Sequence, residues 1–130
     1  MLTPGESAAS FAISLLRTAS SASETFVFSP FAIGSALSIL HDAAKGETKK
    51  ELAEIILPHF EGDDVSTTYS TLAQSIPSTK KVKTRTANRL YVRNSIDINQ
   101  EFKEYVRETY TADIANVDLT DQQGTCEVMP

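Results

Sequence analysis

At 130 residues and 14.2 kDa, 41% hydrophobic and 22% charged, the chain has the size and make-up of one soluble globular domain. Five Gly and five Pro exclude a collagen-like or low-complexity chain, and no apolar run approaches the roughly 18 residues that a transmembrane helix requires. A net charge of -5 and a pI near 5.0 argue against generic binding to nucleic acid or to an anionic membrane, so neither is expected as a partner.

Ala8, Phe11, Ala12, Leu15, Leu16 and Ala19 recur at helical spacing, behind Thr3-Pro4 and Glu6 as a start signal. The stretch Ala8 to Leu16 superficially resembles a signal peptide. No Lys or Arg precedes it, two serines interrupt it and Arg17 closes it, so it reads as a helix. Phe26-Val27-Phe28 is a short β-prone run that Ser29-Pro30 stops. Ser29 then caps a second helix whose apolar stripe is Ile33, Ala36, Leu37, Leu40 and Ala44, and Gly46 ends it. Small residues at Gly34, Ser35 and Ala36 allow a neighbour to approach that helix closely.

Thr48 and Glu51 form a capping box for a third helix with Leu52, Ile55 and Ile56 inward and Pro58 as its stop. Asp63 or Asp64 opens a fourth, carrying Val65, Tyr69, Leu72 and Ile76 and ended by Pro77. The period then changes to two over residues 80–93, which predicts one long strand with Val82, Thr84, Thr86, Asn88, Leu90 and Val92 on one face. Asn99 or Asp97 caps a helix with Phe102, Tyr105, Val106, Thr109 and Tyr110, and Ile114, Val117 and Leu119 mark a last strand over 112–119. Strand, helix and strand at this spacing read as a parallel crossover. Residues 120–130 have no period and read as a disordered tail.

The motifs in these elements resemble the N-terminal portion of a serpin. Phe28-Ser29-Pro30, then Ile33, Ala36-Leu37 and Ala44-Lys45-Gly46-x-Thr48, is similar to the family pattern F-S-P-x-S-I-x-x-A-L followed by G-A-x-G-x-T. Ala87-Asn88-Arg89-Leu90-Tyr91 is similar to A-N-x-L-F/Y, and Tyr110-x-Ala112-x-Ile114-x-x-Val117-Asp118-Leu119 to Y-x-A-x-x-x-x-V-D-F. The resemblance implies an α+β fold, incomplete here: helices A to E, one strand of sheet B at 26–28, and the second and first strands of sheet A. Residues 1–119 would be the N-terminal part of a serpin domain and 120–130 a tail outside the family pattern.

Ala32 stands where the family has serine, and Ala43 where it has glycine. The family's I-N-x-W-V segment does not follow, and the chain has no Trp. The family's reactive-centre loop lies near its C-terminus and is not found in these residues. The resemblance implies a suicide-type inhibitor of serine or cysteine proteases, in which the cleaved loop inserts into sheet A. Without that loop the chain itself is expected to be inactive. The competing expectation is a non-inhibitory interaction fragment or a non-functional truncated isoform, with self-association through exposed strand edges.

Other sites are weak. His41-Asp42 could be imagined beside a serine nucleophile, but the pair is adjacent on a helix and reads as a surface pair pointing different ways. His59 near Asp63 and Asp64 lacks the spacing of a zinc or calcium site. Nothing basic stands beside Cys126 to activate its thiol. No phosphate loop or dinucleotide fingerprint occurs, so no enzymatic activity, cofactor or metal is expected. Six of the twelve basic residues fall between Lys80 and Arg93. Lys81, Lys83, Arg85, Arg89 and Arg93 would share one strand face. That face is a candidate for a polyanion, or a solvated or internally paired surface. One cysteine and no N-x-S/T sequon are compatible with a reducing compartment, so a cytoplasmic location is expected, with extracellular as the alternative.

Overall fold

Thr3 and Glu6 cap each other at the start of the chain. The Thr3 N–H and hydroxyl each donate to Glu6 Oε2 at 2.8 Å, and the Glu6 N–H donates to Thr3 Oγ1 at 3.3 Å. These bonds hold the Glu6 carboxyl below its ordinary value of 4.5 and satisfy donors that the first helical turn leaves open. In the computed structural model, which describes residues 2–19, 25–60, 65–76 and 87–121, this box opens α1 (Pro4–Ala19). Then come α2 (Pro30–Ala43), α3 (Gly46–Ile56), α4 (Val65–Ser75), β1 (Asn88–Arg93), α5 (Gln100–Tyr110) and β2 (Ala112–Val117). The chain divides into a helical unit, Met1–Thr86, and a crossover unit, Ala87–Pro130.

In the helical unit α2 is the hub: α1, α3 and α4 all pack on it. Its start is built as expected. Ser29 is extended (φ -111, ψ 104), its Oγ accepts from the Ala32 N–H at 3.2 Å, and Pro30 fills the first turn. Ser29→Ala is expected to cost about 1 kcal/mol of helix stability, the usual worth of such a cap. Amide protection at Ala32 and far-UV helix content read it out; no change in either would remove the capping role.

The buried face of α2 differs from the expected one. Gly34, Ser35, Ser38, Ile39 and His41 are buried, whereas Ile33 and Leu40, in the predicted stripe, are 36% and 41% exposed. The reason is steric. The hydroxyl end of the Tyr69 ring, from α4, fills the space where a Cβ on residue 34 would stand, which only glycine permits. The Tyr69 hydroxyl donates to the Ile56 carbonyl at 3.4 Å and so links α4 to the end of α3. Ser38 meets its own burial by donating to the Ser35 carbonyl at 2.8 Å. Ser7 of α1 donates to the Pro58 carbonyl at 2.7 Å and ties the loop after α3 to the first helix.

Three further expectations are corrected. First, α3 starts at Gly46 rather than after Thr48: Lys45 is its N-cap without a side-chain bond, and Gly46 takes φ 59, a left-handed conformation that glycine adopts without penalty. Second, Ile56 is fully buried as expected, but Ile55 is 56% exposed. Third, residues 26–28 form no ladder among the described residues. An isolated strand has no partner for its backbone groups, and Phe26 and Phe28 instead stack on each other at 5.5 Å between ring centroids. Val65 and Tyr69 are buried as predicted.

The crossover unit realises the predicted parallel pair. β1 and β2 run parallel, with Asn88 opposite Ala112, Leu90 opposite Ile114 and Arg93 opposite Val117. Only residues 88–93 of the predicted long strand are assigned to it; residues 80–86 lie outside the described residues. Asn99 caps α5, its Oδ1 accepting from the Glu101 N–H at 2.8 Å. α5 buries Val106 and Tyr110 and packs on β2, whose Ala112, Ile114 and Val117 are buried. Thr111 adopts φ 50, so the chain turns from α5 into β2 within one residue. β2 ends at Val117, short of the predicted 119, and Leu119 is half exposed.

Candidate functional site

The family-pattern residues fall into two places. Phe28 is half-buried and Ser29 exposed at the entry to α2, with Pro30 as the first residue of the helix. Ala87 is exposed just ahead of β1, and Asn88 and Leu90 are half-buried within it. In the first group the Ser29 hydroxyl is spent on the helix cap. In the second, Asn88 and Leu90 lie in the parallel ladder opposite Ala112 and Ile114.

Of the predicted basic face, Lys81, Lys83 and Arg85 lie outside the described residues. Arg89 and Arg93 are exposed on β1. Arg89 reaches across the register to Asp113, with Nη2 3.5 Å from Oδ2. Arg107, in the last turn of α5, donates to the other oxygen of the same carboxylate at 3.1 Å. Asp113 thus joins β1, α5 and β2 by one side chain. The Arg107 hydrogen bond is the main cause holding the Asp113 carboxyl below its ordinary 3.8, with the Ile114 N–H second. Asp118 is also lowered, chiefly by the Thr120 hydroxyl at 2.6 Å and the Thr120 N–H at 2.9 Å.

A carboxylate favoured in the folded state lends stability above its unfolded value, and the contribution is lost as pH falls through the lower folded value. The link between α5 and the strands is therefore expected to persist to below pH 3.8. A carboxyl-detected NMR titration should find the Asp113 midpoint below 3.8 and see Arg107→Gln raise it. An unchanged midpoint in that variant would remove Arg107 from the account.

The sequence did not single out Asn116. Its amide donates to the Arg93 carbonyl at 3.3 Å and the Ile96 carbonyl at 2.8 Å, pinning the turn after β1. No local signal announces it, since its partners lie 23 and 20 residues away.

His41 and Asp42 do not diverge. His41 Nδ1 lies 3.0 Å from Asp42 Oδ1, and both side chains are nearly buried rather than on the surface. The pair sits in the last turn of α2, with His41 buried and Asp42 partly buried. His59 is exposed with φ 60, while Asp63 and Asp64 lie outside the described residues. Among the described residues no group of three His, Cys, Asp or Glu side chains is placed to hold a metal ion, and no helix is long and apolar enough to cross a membrane.

Among the described residues, five helices and a parallel strand pair in this order, with F-S-P at the start of the hub helix and A-N-x-L at the start of the first strand, define a portion of one known fold. The family model described as serpin (serine protease inhibitor) matches residues 6–129, a range that runs past Leu119. The chain belongs to the serpin family.

Serpin B8 of Homo sapiens is 29% identical over 123 residues, covering 93% of this chain and 33% of that protein. The leukocyte elastase inhibitor of Bos taurus is 34% identical over 96 residues, covering 70% of this chain and 24% of that protein. Among solved structures, the thermophilic serpin tengpin in its latent state gives a TM-score of 0.82 at 19% identity, over 98% of this chain and 35% of that one. Arabidopsis AtSerpin1 in its native stressed conformation gives 0.77 at 21% identity, over 99% and 35%. At these identities the structural likeness establishes the fold alone. The chain spans 24% to 35% of the length of these relatives.

Proposed function

We propose that this chain is the N-terminal part of a protease inhibitor acting on serine or cysteine proteases by the family's suicide route, and that these 130 residues alone do not inhibit. The family match over residues 6–129 carries the first half of the reading, and the name of one relative, leukocyte elastase inhibitor, favours a serine protease as target. The second half rests on extent. The suicide route needs a reactive loop and a sheet that opens to receive it, and the described residues supply two strands of sheet. The role of these residues is then scaffolding: the hub helix α2 and the parallel pair on which further strands of sheet A would be laid.

No higher-mass band is expected on a denaturing gel after this chain is mixed with a panel of serine and cysteine proteases. A heat- and SDS-stable band at the summed mass would overturn the reading of the chain as inactive alone. A chain extended by in-frame downstream coding sequence that includes a reactive loop should give such a band with at least one protease. Failure across the panel would overturn the inhibitory assignment. A reducing, cytoplasmic setting is part of the proposal, supported by the single Cys126 and the lack of a glycosylation sequon.

A further inference from the structure

We draw no further inference here: the strongest candidate, docking of the outer edge of β1 onto β2 of a second copy, carries nothing because the one acidic side chain within β2, Asp113, already lies between Arg89 and Arg107 of its own chain and offers a neighbouring Arg89 no charge complementarity.

Discussion

Gly34→Ala is expected to loosen the helical unit by about 1–3 kcal/mol, the usual cost of forcing extra volume into a packed interior. A Cβ at position 34 would stand 2.5 Å from both Cε1 and Cζ of Tyr69, and closer still to the hydroxyl. The ring cannot yield easily. Tyr69 is 2% exposed and held between α2 and the end of α3, where its hydroxyl meets the Ile56 carbonyl. The backbone of α2 cannot yield either without disturbing α1 and α3, which pack on the same helix. Loss of amide protection in α2 and α4 would report the change. Tyr69→Leu in the same chain, by removing the ring, should recover part of the loss.

The phenol gives a second readout. Burial pushes the Tyr69 pKa from 10.0 up to about 12. A raised value means that the unfolded chain ionises first as pH rises, so the contact weakens progressively from pH 10 to about 12. In Gly34→Ala the expelled ring should titrate closer to 10.0. Unaltered protection and an unaltered phenol titration would show that the α2–α4 contact does not depend on a bare glycine.

The elements that were legible in the sequence are those decided by short-range chemistry. Ser29 before Pro30 and Asn99 before Gln100 offer side-chain oxygens where orphan N–H groups must be met, and both serve as caps. The parallel crossover was legible because the period changed from helix to strand at the right spacing. The buried face of α2 was not. Periodicity assigns the inside to the most apolar residues, but here smallness decides, because Tyr69 needs Gly34 more than any partner within the unit needs Ile33 or Leu40. Thr48 and Glu51 match a capping box in spacing, yet the φ of 59 at Gly46 lets α3 begin three residues earlier, with Lys45 in the cap position. At the site, F-S-P and A-N-x-L were readable as family motifs. The meeting of Arg89, Arg107 and Asp113 was not, because it depends on how the crossover closes over 24 residues.

As an isolated polypeptide, the 130-residue chain is expected to keep its helices yet pack loosely, bind ANS, melt without a sharp transition and associate. The helices should persist because α1, α2 and α5 each carry side-chain caps, and capping with local apolar contacts survives partial loss of tertiary packing. Loose packing follows from what the units leave in water. Ile33 and Leu40 lie on one side of the hub helix, Val27 is 96% exposed between two stacked phenylalanines, and Ile13, Leu16 and Ile55 are each about half exposed. The two-stranded sheet adds open edges among the described residues, and such edges invite pairing with other chains.

Salt should decide how far association goes. Two guanidiniums surround the single carboxylate of Asp113, Arg93 adds another charge on β1, and Lys81, Lys83 and Arg85 precede that strand in the sequence. Like charge on approaching strands opposes pairing, and at 1 M salt the screening length falls to about 3 Å, so association should rise with ionic strength. Sedimentation at low and high salt, near-UV circular dichroism and ANS fluorescence test this together. A monomer at both salt concentrations, with a cooperative transition and no ANS binding, would show that these residues bury a sufficient core of their own, and the reading of α2 as a helix that needs cover from further chain would fail.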